Sequence, residues 1–267
     1  MASQIACITT FSVARHPFGV EMIQSFLEYW SSDFHLYAVL QQAEQIEVKS
    51  HSDQLTVIDF ETVCPQQNSF KKYFIDNHFH IFKERGHVPF PFDAPRFAHK
   101  VFAIDYGLRN IESDLYVWLD SDLLFHRQID KELIAETLFG NSGWSFLGRD
   151  HLSEKDKQLV YPECGFMLFD KNVPGFEYFW EEMSYFYEAN GIYGLREWHD
   201  SFAFEQAYKK TKKKFPKFGF NISSLGLEKI SDPNHVFIAS KLGEYMDHRK
   251  GNRKSLPKSP ELEERQS

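Results

Sequence analysis

The chain has 267 residues, with 30 basic against 38 acidic side chains and a formal net charge of −8. That balance excludes a general nucleic-acid binder, which needs an excess of Lys and Arg over its binding face. Hydrophobic residues make up 42% and charged ones 25%, the composition of a globular domain with a sizeable core, and no stretch approaches the ~20 apolar residues that span a bilayer.

From the N-terminus, Ile5 to Thr10 reads as an opening strand and not as a signal peptide, because no basic region or long apolar run precedes it. Gly19 to Trp30 carries apolar residues at helical spacing, and Phe34 to Leu40 and Leu55 to Phe60 read as short strands. This order begins a doubly wound α/β sheet. Cys64 to Pro95, rich in Phe, His and Pro, reads as a helix followed by an irregular loop, and its histidines His78, His80 and His87 lack the acid or Cys that would complete a metal set. Arg96 to Asn110 is an amphipathic helix with Arg96 and Lys100 one turn apart.

It leads into Leu115-Tyr-Val-Trp-Leu119, an unbroken apolar run that ends in Asp120-Ser121-Asp122. Such a run suits a strand covered on both faces, so the acids fall at its carboxyl end, the edge where open α/β sheets bind ligands. Two carboxylates one residue apart in a turn can converge on a hard cation, which in turn can hold a diphosphate. The alternative is a pair of solvated acids after a buried strand.

Beyond the acids, Asp130 to Phe139 reads as a helix, and Gly143 to Leu147 and Glu163 to Asp170 as strands, with Gly165 allowing a close approach. Val173 to Asn190 and Ser201 to Lys213 are helical, and Phe218 to Ile222 and Val236 to Ala239 are late strands. Trp198 is a candidate sugar-stacking ring. Asp200 is open between helix N-cap, ligand of sugar hydroxyls and base for an acceptor hydroxyl. Leu256 to Ser267 is too polar to order itself and is expected to be a disordered tail. Six lysines between Lys209 and Lys217 form either a solvated face or a contact for an anionic, membrane-peripheral partner. The three cysteines, Cys7, Cys64 and Cys164, make neither a disulfide framework nor a zinc motif, so a reducing, cytoplasmic setting is expected.

Taken together, five blocks resemble glycosyltransferases of the GT-A fold, within them family 8, the group of glycogenin and bacterial lipopolysaccharide galactosyl- and glucosyltransferases. Arg96 to Ile104 resembles the helix before the metal motif; Leu119-Asp-Ser-Asp122 resembles the metal-binding Asp-x-Asp. Glu163-Cys-Gly165 is similar to an Asn-x-Gly strand and Trp198-His-Asp-Ser201 to an Asp-Gln pair, with Glu163 and Ser201 as departures. His248-Arg-Lys-Gly-Asn-Arg-Lys254 resembles the His-x-x-Gly-x-x-Lys block, followed here by Ser255-Leu256 in place of Pro-Trp.

The resemblance implies a single α/β domain over residues 1–255 with a Rossmann-like mixed central sheet flanked by helices: a nucleotide-binding half over 1–122 and an acceptor-binding half over 123–255. It implies a metal-dependent enzyme of polysaccharide biosynthesis that moves a hexose from a nucleotide-sugar, UDP-hexose foremost, to a glycan or lipid-linked hydroxyl, with retention ahead of inversion. Mn²⁺ or Mg²⁺ would be held by Asp120, Asp122 and His248. Thr9, Arg96, Lys100, Asp120, Ser121 and Lys254 would contact the donor, and Asp200 and Glu163 would take the catalytic positions. Two alternatives stand beside it: a sugar-phosphate nucleotidyltransferase, which would need a Gly-rich loop where Thr9 to Gly19 has a single late glycine, and a non-catalytic nucleotide-sugar-binding protein.

Overall fold

The computed structural model describes residues 5–47, 52–140, 142–149, 161–232, 235–251, 253 and 256–266. In chain order the elements are β1 (Ile5–Thr9), α1 (His16–Tyr29), β2 (Phe34–Leu40), β3 (Leu55–Asp59), α2 (Phe60–Val63), α3 (Gln66–Asn77), α4 (Ala94–Asn110), β4 (Tyr116–Leu119) and β5 (Leu123–Phe125). There follow β6 (Trp144–Leu147), β7 (Glu163–Phe169), α5 (Phe176–Glu188), α6 (Asp200–Lys214), β8 (Phe220–Asn221), α7 (Val236–Ala239), β9 (Met246–His248) and α8 (Pro260–Gln266).

Seven strands form one sheet in the order β3-β2-β1-β4-β7-β6-β8, which crosses residue 122 without a break. β3, β2, β1 and β4 run parallel, and β7 is antiparallel to both its neighbours, so the sheet is mixed as expected. Strand alternation divides the apolar runs between two cores. Ala6, Ile8, Tyr116 and Trp118 pack with residues of α3 to α6, while Cys7, Val117 and Leu119 pack with residues of α1 and α7 on the other side. Both faces are therefore covered, and the run before Asp120 is apolar throughout for that reason. β1 leads out to β2 on one side and has β4 on the other. The crevice beyond the carboxyl ends of β1 and β4 is thus the topological switch point.

Four features correct, refine or add to these expectations. Val236–Ala239 is a short helix and not a strand, since a buried apolar run of this length has no period to separate the two. Asp130 to Phe139 opens with the Asp130 Oδ1 accepting the Leu133 N–H at 2.8 Å, but continues as a π-helical turn at Leu133–Leu138. β9, which pairs antiparallel with β5 in a separate two-stranded ladder, escapes sequence patterning because Met-Asp-His does not alternate.

The fourth is the tail over 256–267, which carries α8. Leu262 is buried against Ile230, Ile238 and Ala239, and Asp247 of β9 accepts both the Ser259 N–H (2.7 Å) and its hydroxyl (2.6 Å). Arg253 forks onto Glu261, and Arg265 donates to the Ile238 and Ser240 carbonyls. Composition missed this because the anchors are charged residues paired with the body. Leu262→Ala should therefore cost about 2 kcal/mol in urea unfolding; an unchanged midpoint would contradict a docked tail.

Candidate active site

The apolar run of β4 delivers Asp120 to the switch point, and its backbone N–H continues the ladder by donating to the Gly165 carbonyl at 2.8 Å. One turn later Asp122 precedes β5. The register of that ladder places Leu123 opposite His248, so the imidazole arrives beside the acids from 126 residues away in sequence. His248 Nε2 lies 2.9 Å from Asp122 Oδ1 and 3.7 Å from Asp120 Oδ2. One ligand atom from each of the three residues lies within 4.8 Å of the other two. Two carboxylates and an imidazole converging in this way fit a divalent cation such as Mn²⁺ or Mg²⁺, whose remaining positions a diphosphate can fill.

The room for this imidazole comes from Gly165. His248 is fully buried, with the Phe237 ring against it at 5.1 Å. A Cβ on Gly165 would stand 2.3 Å from His248 Cε1 and 2.5 Å from Nδ1. Nδ1 lies 3.5 Å from the Glu163 carboxylate, too loose for a hydrogen bond, and is unpaired. Glu163 is itself buried and clamped by Arg149 Nη2 at 2.8 Å, by Lys250 and by the Gly165 N–H. Burial alone would raise its pKa, but Lys250, His248 and Arg149 outweigh that and hold the carboxyl well below the usual carboxylate range.

Lys100 of α4 is the second hub. Its ammonium lies 2.9 Å from Asp120 Oδ1, 2.7 Å from Asp200 Oδ2 and 2.9 Å from the Cys164 carbonyl, beside the Trp118 ring. Burial would lower the pKa of such an ammonium, but Asp120 and Asp200 outweigh it and raise it well above its ordinary value. Lys100→Met leaves two carboxylates facing each other with no cation between them, and should cost about 3–5 kcal/mol in denaturant unfolding. A loss below about 1 kcal/mol would show that the lysine is not structural.

Asp200 begins α6 but is not its N-cap. His199 takes that place, with its Nδ1 accepting the Phe202 N–H at 3.3 Å. Asp200 Oδ1 accepts the Ser201 N–H at 2.9 Å, and Oδ2 takes Lys100. Ser121, Arg96, Ser201 and Lys250 line the same cleft, which encloses about 490 Å³, a size suited to a small-molecule ligand. The Arg96 guanidinium lies against both the Phe90 and the Phe97 rings, at 5.7 and 5.8 Å.

Not every expected residue arrives there. Thr9 is wholly buried and does not line the cleft; its neighbour Thr10 does. Trp198 packs edge-on against Phe82, Phe92 and Tyr193, away from the cleft. Lys254 lies outside the described residues.

A second recess of about 480 Å³ shares Phe90, Glu163, Ser201 and Lys250 with the first. It adds Tyr161, whose hydroxyl donates to Glu197 at 2.6 Å and accepts from Arg196 at 2.7 Å, and His199, 3.0 Å from Glu197. Burial and then Glu197 push the Tyr161 phenol up to about 12. Sequence reasoning missed Arg149, Tyr161 and Glu197, which sit in no motif. Lys250 lies within the His248 to Lys254 block and was open to detection there.

No family model matches the sequence, and no curated protein matches it. Among solved structures, the WbbM bifunctional glycosyltransferase superposes with a TM-score of 0.52 at 12% identity, over 94% of this chain. The chain has the GT-A glycosyltransferase fold. It spans 46% of the WbbM chain, less than half of that protein's length. Mouse xyloside xylosyltransferase 1 (TM-score 0.47, 12% identity, 89% of this chain and 93% of that one) and GlyE of Streptococcus pneumoniae TIGR4 (0.44, 14%, 83% and 46%) are more distant. Among the described residues of this GT-A chain, no helix is long and apolar enough to cross a membrane.

Proposed function

We propose that the chain is a metal-dependent glycosyltransferase that moves a hexose from a UDP-sugar to a hydroxyl of a glycan or lipid-linked acceptor. The observation that carries this reading is the meeting of Asp120, Asp122 and His248 at the sheet's switch point. When bound, Mn²⁺ or Mg²⁺ would supply electrostatic stabilisation for the negative charge that grows on the β-phosphate as the anomeric C–O bond breaks.

In this reading Glu163 is a positioning residue and not a catalytic one: its buried carboxylate anchors Arg149, Lys250 and the Gly165 N–H at the edge of the cleft, behind the far nitrogen of His248. Arg96, Ser121 and Lys254 are donor contacts, Arg96 with a guanidinium suited to phosphate or a stacked base. Residues up to 122 serve the nucleotide and those from 123 to 255 the acceptor, which enters through the recess of Tyr161 and Glu197. Both oxygens of Asp200 are already engaged, by Lys100 and by the Ser201 N–H. That favours a role in binding sugar hydroxyls over proton removal, and with it retention of anomeric configuration.

The test is UDP release from a panel of UDP-hexoses with Mn²⁺, with and without simple glycan acceptors. Turnover that stops on chelation is expected. No turnover with any donor, together with metal-dependent thermal stabilisation by UDP, would instead indicate a nucleotide-sugar-binding protein. Pyrophosphate release from UTP and a hexose 1-phosphate would indicate a nucleotidyltransferase.

A further inference from the structure

Among the described residues nine large hydrophobic side chains are exposed, and five of them, Tyr73, Ile75, Phe79, Ile81 and Phe90, fall within residues 73–90. Ile75, Ile81 and Phe90 leave 52%, 56% and 55% of their surface in solvent. Isolated apolar side chains on a surface need no explanation, but so many exposed ones within one short stretch of chain call for a partner.

The stretch is held from beneath. Phe74 and Phe82 are buried in the core, and the Phe82 ring stacks on Phe92 at 5.8 Å and meets Trp198 at 6.2 Å. α3 and the 3₁₀ turn Phe79–Arg85 that follows it therefore present their outward residues on a fixed platform.

Charge selects the partner. Lys71, Lys72, Lys83 and Arg85 are exposed along the same stretch, on a chain whose net charge is −8. Of these, Lys72 is matched by Asp76 at 2.7 Å. Aliphatic and aromatic side chains set among exposed cations are the composition of a segment that lies in the headgroup boundary of an anionic bilayer. The lysine cluster of α6 is a weaker candidate: Lys209 is paired with Glu205 at 2.9 Å and Lys210 with Glu182 at 2.6 Å, and the Lys214 ammonium covers the Tyr178 ring at 3.7 Å. Phe90 belongs both to the apolar stretch and to the lining of the cleft, so the stretch reaches the site at that residue.

We propose that residues 71–90 dock the protein on an anionic lipid bilayer, with Ile75, Phe79 and Ile81 entering the headgroup boundary and Lys71, Lys83 and Arg85 facing the lipid phosphates. The proposal does not depend on the chemistry assigned to the cleft. Joined to that chemistry, it makes the acceptor a hydroxyl presented at the bilayer surface.

The experiment is co-sedimentation of the full chain with vesicles of phosphatidylcholine alone or mixed with phosphatidylglycerol. Binding at least about tenfold tighter to the anionic vesicles is expected. It should be lost when Ile75→Ser, Phe79→Ser and Ile81→Ser are combined, and kept when Lys213→Glu and Lys217→Glu are combined. Amide hydrogen exchange of the unaltered chain, slowed over residues 73–85 by anionic vesicles, decides the matter should the triple variant fail to fold. Three results would overturn the proposal: no sedimentation with either vesicle, binding or exchange unaffected at this stretch, or a concentration-dependent dimer that the triple variant abolishes while vesicles capture nothing.

Discussion

Asp122→Asn is expected to lower kcat for sugar transfer by at least about 100-fold while leaving the unfolding midpoint within a few degrees of the unaltered chain. The asparagine is nearly isosteric, so its amide can still meet His248 Nε2, which lies 2.9 Å from the present carboxylate. What is lost is a full negative charge from a set of two carboxylates and one imidazole. Charge on the ligands is what a hard divalent cation selects. The loss should fall on kcat and on metal affinity together, and raising the Mn²⁺ concentration should recover part of the rate. UDP release measured across a Mn²⁺ series checks both. An unaltered rate at low Mn²⁺ would remove Asp122 from the site.

Gly165→Ala is expected to cost nearly as much activity as His248→Ala, although Gly165 touches no substrate in this account. The new methyl group would stand 2.3 Å from His248 Cε1, and the ring cannot swing aside because it is buried and backed by Phe237 at 5.1 Å. Overpacking of this kind costs about 1–3 kcal/mol when the neighbours yield. The direction of yielding is set by the β5–β9 ladder, which fixes the backbone of His248 opposite Leu123. The ring must therefore shift from its present position beside Asp120 and Asp122. A fall in kcat of about 100-fold follows, with a loss of stability smaller than that of a core Leu→Ala change. A double-mutant cycle separates this from general damage: Gly165→Ala should add almost nothing on top of His248→Ala, since the clashing ring is then gone. Additive losses would mean that Gly165 acts elsewhere.

The acids at the end of β4 are legible in the sequence because an apolar run that alternates between two cores must be apolar at every position, and it ends where the sheet ends. Lys100 is legible as well, since the 3.6-residue period of α4 sets it beside Arg96. The partner of His248 is another matter. A two-stranded ladder of Leu123–Phe125 with Met246–His248 is short, and its register depends on contacts more than a hundred residues apart; only the family-like block from His248 to Lys254 pointed to it. Thr9 and Thr10 show the limit of resolution: one step along a strand exchanges a buried side chain for one that lines the cleft. Arg149, Tyr161 and Glu197 were hidden for a different reason. Their roles come from hydrogen bonds made by loop residues to distant parts of the chain or to other loops, which leave no period and no spacing to detect. The tail misled composition because Arg253 and Arg265 bury their charge against acids and carbonyls supplied by other elements.

The central claim is that one cation is shared by Asp120, Asp122 and His248. Electron paramagnetic resonance of Mn²⁺ during titration of the chain, with and without UDP, addresses it without any need for turnover or a known acceptor. The account predicts a single bound ion per chain, tightened by UDP and lost in both Asp122→Asn and His248→Ala, with circular dichroism unaltered. An ion that binds equally well to the folded His248→Ala chain would contradict it.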